Sequence, residues 1–292
     1  MLLNRPAVAA VNSAGWNISQ RYILEDGTLD VTAFKDEFGD CIIPVDIDSA
    51  SYSSSRTNMP IRQAIGRMVD GECLYGKDWH FLHAHGCSVN TVPPVQLFEA
   101  PAAVREDWLN WYSDIREGDD YRFIYIGGPK TRTGLHYDVL NSYSWSVNIC
   151  GRKLWKFWNP SLVEGPDVES EEALVARGVD PTYTFVQQAN EMVYVPSGWH
   201  HTVVNLGVNN SPTGKITLSM NHNWINGFNI YRVWRFILQE LRSVHKEIGC
   251  FLRLPHHSQD ATLMDEIEWN KHCETLMRAN CSFSVLQFFE MV

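Results

Sequence analysis

Tyr143-Ser144-Trp145-Ser146-Val147-Asn148-Ile149-Cys150-Gly151-Arg152-Lys153-Leu154-Trp155-Lys156-Phe157-Trp158 is the stretch whose reading decides the fold. From Ser144 to Ile149, polar Ser144, Ser146 and Asn148 alternate with apolar Trp145, Val147 and Ile149. A period of two places alternate side chains on opposite faces, which predicts a half-buried strand. Cys150-Gly151 reads as a tight turn, and Lys153–Trp158 as the second strand of a hairpin. Working outward, Arg122–Gly127, Met192–Val195, His201–Leu206 and Lys215–Asn223 are further β-type runs divided by Gly, Pro and Asn. Many short strands separated by turn signals make a sandwich or barrel.

The flanks differ in texture. Before residue 119, strand candidates such as Cys41–Val45 alternate with helical ones such as Ile61–Val69 and Ala103–Tyr112. That α/β segment carries no chemistry by itself. Beyond Asn226, the residues Ile230, Val233, Ile237, Leu241, Val244 and Ile248 recur at three- and four-residue steps. They form one apolar stripe on a helix of about five turns. A second helix is predicted from Thr262 to Arg278. These helices pack on the barrel or, alternatively, pair with a second copy as a homodimer. The expected division is therefore residues 1–118, 119–227 and 228–292.

Composition narrows the class. The 292 residues are 45% hydrophobic and include 11 Trp, 11 Tyr and 13 Phe, enough for a substantial core and too many for a disordered chain. A net charge of -10 gives no general attraction for nucleic acid or anionic lipid. A basic protein segment is a more natural partner, and a solvated acidic surface the simplest reading. Seven scattered cysteines, odd in number and without a C-x-x-C pair, argue against a disulfide framework and a thiolate zinc site. They favour a reducing compartment. The opening residues lack a charged leader followed by an apolar run, and no run approaches the roughly 18 apolar residues of a membrane span. The expectation is a cytoplasmic, or also nuclear, protein without membrane contact.

His-x-acid occurs three times, as His136/Asp138, His245/Glu247 and His272/Glu274. On a strand, residues i and i+2 share a face and can reach one ion; on a helix they diverge by about 200°. His245 and His272 fall in helical segments and read as surface residues. His136/Asp138 lies in β-type Leu135–Leu140 and survives. A third ligand is offered where Val195-Pro196-Ser197-Gly198-Trp199 turns into a new strand at His200-His201. Neighbours on a strand face opposite ways, so one of these two histidines coordinates, and spacing does not choose between them. Two imidazoles and one carboxylate with open positions suit a non-haem Fe(II) oxygenase, and also Zn or Mn.

A ferrous oxygenase needs two further electrons besides O₂. 2-Oxoglutarate supplies them, and its distal carboxylate then needs a cation and a hydroxyl away from the metal. Lys153, which starts the strand after Gly151, is one candidate, with an exposed edge-strand lysine as the equal alternative. Thr133 offers the hydroxyl; Asn221 and Asn223 are weaker polar candidates.

Taken together, Arg132-Thr133-Gly134-Leu135-His136-Tyr137-Asp138, Ser144–Lys153 and Val195-Pro196-Ser197-Gly198-Trp199-His200-His201 resemble the JmjC-domain 2-oxoglutarate oxygenases in order and spacing. The resemblance implies a mainly β, cupin-like double-stranded β-helix (jelly roll) with N-terminal α/β elements and C-terminal helices. It implies Fe(II) on His136, Asp138 and His201, and the cosubstrate's distal carboxylate on Thr133 and Lys153. Gly71–His80, Asp119–Phe123, Tyr143–Asn148 and Asn221–Asn229 are similar to a branch of that family that hydroxylates a lysine of the eukaryotic translation termination (release) factor at C4. That branch implies lysyl hydroxylation of a protein partner, without demethylation; the acidic net charge separately argues against direct contact with nucleic acid. Rival expectations are a histone lysine demethylase on the same scaffold and a catalytically inactive cupin-like binding protein. Ser161–Tyr183 departs from the family pattern.

Overall fold

The computed structural model describes residues 4–49, 55–81, 97–116, 120–163, 170–207, 216–252 and 266–292. The period-two segments become strands close to their predicted bounds: β5 (Arg122–Gly127), β7 (Tyr143–Cys150), β8 (Lys153–Trp158), β10 (Glu191–Val195), β11 (His200–Asn205) and β12 (Thr217–Trp224). β6 (Arg132–His136) and β9 (Tyr183–Gln187) complete the set, with β1 (Ala7–Ala10), β2 (Ile42–Ile47), β3 (Ser55–Pro60) and β4 (Leu74–His80) preceding it. One sheet runs β1-β10-β7-β12-β5-β4-β2-β3 and the other β6-β11-β8-β9, with antiparallel pairing throughout. From β5 onward the strands alternate between the two sheets, except that β8 and β9 pair within the smaller one; that arrangement is a jelly roll, the double-stranded β-helix. The N-terminal strands extend the larger sheet at both of its edges.

Two readings of the deciding stretch are corrected. β7 and β8 do not form a hairpin. β7 pairs with β10 and β12, and β8 with β11 and β9, so the chain crosses between sheets at Gly151. Gly151 sits at φ +76°, and a Cβ there would lie 2.5 Å from the Thr217 hydroxyl oxygen, so only glycine fits. Nor is β7 half-exposed: all eight of its residues are buried. Its apolar phase, Trp145, Val147 and Ile149, joins the main core beside Trp224, Met220 and Leu218. Its polar phase turns into the space between the sheets.

Among the described residues the helices are α1 (Asn17–Tyr22), α2 (Val31–Phe38), α3 (Ile61–Val69), α4 (Trp108–Arg116), α5 (Glu171–Ala176), α6 (Ile230–Leu252), α7 (Glu266–Cys281) and α8 (Val285–Met291). α3 matches its predicted span, burying Ile61, Ala64, Ile65 and Met68 on one face. The helix expected at Ala103–Tyr112 is instead a short 3-10 turn at Ala102–Val104 followed by α4. Asp107 explains the late start: its carboxylate accepts from the Asn110 N–H at 3.1 Å, three residues on, as a helix-capping side chain does. α6 is 23 residues long, exceeding the predicted five turns. The start expected for the second C-terminal helix, Thr262, lies outside the described residues. Val233, Ile237 and Val244 of α6 pack with Leu109 of α4, Met277 of α7, Phe288 of α8 and Leu140 into a second core. His245 and His272 are exposed on these helices, as expected.

Among the described residues, no helix is long and apolar enough to cross a membrane. Cys73, Cys150, Cys273 and Cys281 are free, whereas Cys41 is disulfide-bonded, a pairing that the scattered, odd cysteine count did not suggest. A bridge needs only two Cα atoms brought within about 4.4–6.8 Å, and sequence spacing does not encode that distance.

Candidate metal and cosubstrate site

His136 ends β6, and His201, the second residue of β11, is its direct cross-strand partner. Opposed residues in an antiparallel pair hold their side chains within contact, and here the two imidazole centroids lie 4.2 Å apart. The ladder shifts register between His201 and Val203, a bulge that re-aims the side chains beside it. Asp138 lies beyond the end of β6, not within a strand as predicted. Its backbone remains extended (φ -68°, ψ 150°) before a 3-10 turn at Val139–Asn141, so the i, i+2 relation to His136 survives. Ligand atoms of His136, Asp138 and His201 lie within 4.8 Å of one another.

Hydrogen bonds fix which atoms converge. The Nδ1 of His136 lies 2.8 Å from the Gly134 carbonyl, and that of His201 lies 3.0 Å from the Trp199 carbonyl. A carbonyl only accepts, so each Nδ1 carries the proton and each Nε2 keeps its lone pair for a metal. Burial, with His136 nearby, pushes the His201 pKa down to about 4, which holds the ring in the neutral, ligating form. The Ser144 hydroxyl donates to Asp138 Oδ2 at 2.7 Å, leaving the other carboxylate oxygen free. His200 takes the opposite face: its ring meets that of Tyr137 edge-on, with centroids 5.1 Å apart, on the outside of the ligand cluster. The donor set of two neutral imidazole nitrogens and one carboxylate oxygen fits a ferrous ion.

The same cavity receives Thr133, Lys153 and Asn221, together with Asn223. Lys153, which sequence left evenly poised, is 1% exposed. Its ammonium donates to the Ser219 hydroxyl and lies 5.7 Å from the centre of the Tyr125 ring. Asn221 donates to the same hydroxyl at 2.9 Å. Among the described residues Lys153 has no carboxylate partner, and burial drives its pKa down to about 7. A buried ammonium that lacks a counter-charge is an anion receptor, because a bound carboxylate would restore the charged form.

Other members of the cavity were not foreseen. Ser144 and Ser146 were legible only as the polar phase of a strand, and that phase lines the cavity instead of meeting water. Tyr75, from the N-terminal segment that carried no chemistry in the sequence, lines the cavity together with Thr133. Burial raises the phenols of both Tyr75 and Tyr125 well above the ordinary range, so they remain protonated donors.

A family model described as "JmjC domain, hydroxylase" matches residues 167–215, a span that includes His201. The 2-oxoglutarate and iron-dependent oxygenase JMJD4 of Gallus gallus is 32% identical over all of this chain and 69% of its own length. JMJD4 of Homo sapiens is 32% identical, with 100% and 70% covered. The arginine-specific demethylase JMJ20 of Arabidopsis thaliana is 29% identical over 84% of this chain and 57% of its own.

The chain belongs to the JmjC family. Similarity to the JMJD4 proteins over the whole of this chain makes this JmjC protein a 2-oxoglutarate and iron-dependent oxygenase, with Fe(II), 2-oxoglutarate and O₂ as its cofactor and cosubstrates. The family match begins inside Ser161–Tyr183, so the part of that stretch from residue 167 onward falls within the family pattern, against expectation.

Proposed function

We propose that this oxygenase is a protein lysyl hydroxylase, that its metal ligands are His136, Asp138 and His201, and that its substrate is a lysine of the translation termination factor, modified at C4 in the cytoplasm. The observation that carries the site assignment is the sharing of one cavity by the three-ligand cluster and a buried, uncompensated Lys153. When bound, the ferrous ion with 2-oxoglutarate and O₂ supplies the oxidising equivalent.

The chain's own residues bind, orient and exclude. Gly134 and Trp199 carbonyls hold both imidazoles with Nε2 turned inward, and Ser144 holds the Asp138 carboxylate. Lys153 and Thr133 receive the distal carboxylate, and Asn221 shares the hydroxyl that Lys153 uses. Trp155 and Val203 line the same cavity and limit water there. An inactive binding protein has no use for such a buried cation, which supports the enzyme reading over that alternative.

The name of JMJ20 favours demethylation as the second reading. Incubating the protein with Fe(II), 2-oxoglutarate and the purified termination factor separates the two by mass. A gain of one oxygen on a lysine supports hydroxylation; loss of a methylene from a methylated arginine or lysine peptide supports demethylation. Asp138→Ala is expected to remove both product and succinate, and unchanged succinate release would overturn the ligand assignment.

A further inference from the structure

On the far side of the ligand-bearing segments lies a larger open groove, floored by Tyr137 and His200 and walled by Arg232, Arg235, Phe236 and Arg242 of α6. Tyr137 sits between His136 and Asp138, and His200 immediately precedes His201, so the groove and the metal cavity share the same two backbone segments. α6 also packs on the 3-10 turn that follows Asp138. Anything seated in the groove therefore rests against the metal-ligand loops.

The charge of this groove opposes that of the molecule. The chain carries -10 overall, yet three guanidiniums line one wall. Arg235 and Arg242 are exposed and seven residues apart, two helical turns, so they point the same way. Among the described residues neither has an ion-pair partner, and the nearest use of Arg232 is a 3.3 Å bond to the Asn4 side chain. Glu240 of the same helix acts on Tyr137, whose phenol is raised first by burial and then by that carboxylate.

The row from Arg232 to Arg242 spans about 15 Å of helix. An extended segment of about four or five residues covers that length. Guanidinium forks bind carboxylates in a bidentate way, and the Phe236 and Tyr137 rings give a peptide apolar surface. A nucleic acid would meet the repulsion of the remaining negative charge along its length.

We infer that this groove docks an acidic segment of the protein substrate, with its carboxylates on Arg235 and Arg242. The inference rests on the reading that a protein is the substrate, and it supplies what that reading lacks: a recognition feature outside the oxidised residue.

Fluorescence anisotropy of a labelled peptide alternating Glu and Ser tests it directly on the full chain, with a Lys/Ser peptide and a single-stranded RNA as comparison probes. The acidic peptide is expected to bind in a salt-sensitive way, and the Arg235→Glu/Arg242→Glu pair to weaken it by on the order of tenfold or more. Unchanged melting of that variant checks its fold, and Arg235→Gln/Arg242→Gln is expected to weaken binding less. Equal binding by the reversed variant, or tighter binding of RNA or of the basic peptide, overturns the inference. The readout needs neither iron nor turnover, so its failure leaves the hydroxylase reading standing. Failure to oxidise the termination factor likewise leaves a positive binding result intact.

Discussion

Lys153→Met should make the ligand-free protein more stable and at the same time abolish its use of 2-oxoglutarate. Methionine keeps the length of the side chain and removes the ammonium. The pKa of Lys153 falls from 10.5 to about 7 on folding because the side chain is buried. Each unit corresponds to about 1.36 kcal/mol, so at pH 6 the buried cation destabilises the fold by roughly 5 kcal/mol. Between pH 7 and 10.5 the unfolded chain holds a proton that the folded one has released, so wild-type stability rises with pH across that window. At pH 9 the remaining penalty is about 2 kcal/mol.

Loss of the Ser219 hydrogen bond and the Tyr125 contact offsets part of the absolute gain, but not its pH dependence. The advantage of the variant over wild type is therefore expected to be roughly 2–3 kcal/mol larger at pH 6 than at pH 9. Urea unfolding at the two pH values, without metal or cosubstrate, measures it. In the same assay 2-oxoglutarate should raise the wild-type midpoint and leave that of Lys153→Met unmoved. A variant less stable than wild type at both pH values, or with a gain independent of pH, would refute the idea that Lys153 is an uncompensated cation awaiting an anion.

Two other substitutions test the scaffold of the site. Ser144→Ala removes the hydroxyl that steadies Asp138, and Fe(II) affinity in an anaerobic titration should fall by roughly 10–100-fold, as for other supports of metal ligands; unchanged affinity would mean that this hydrogen bond does not orient the carboxylate. Gly151→Ala forces a Cβ to within 2.5 Å of the Thr217 hydroxyl oxygen at a φ of +76°, and is expected to lower stability by about 1–3 kcal/mol in urea unfolding, whereas no loss would show that the crossing between sheets is tolerant.

The strands were legible because alternation survives in a single sequence, and β5 and β8 occupy their predicted bounds. What alternation does not say is what the polar phase meets. In β7 it meets a cavity, so Ser144 and Ser146 were misread as solvent-facing. Pairing was illegible for a related reason: the turn at Gly151 looks the same whether the chain returns along its own sheet or crosses to the other, and only distant strands decide. Strand context separated His136 from His245 and His272, even though Asp138 sits past the end of β6, because the backbone stays extended through it. The choice of His201 over His200 rested on resemblance, and the cross-strand pairing with His136 now supplies the physical reason. Tyr75 could not have been found, since nothing in Leu74-Tyr75-Gly76 signals that β4 will deliver a phenol to a cavity built mostly some fifty residues and more downstream.

The most direct test of the account is anomalous diffraction from a crystal of the protein with Mn(II) standing in for Fe(II). A single peak about 2.0–2.2 Å from Nε2 of His136, Nε2 of His201 and one carboxylate oxygen of Asp138 is the expected result. A peak elsewhere, or one bound through His200 in place of His201, would contradict it.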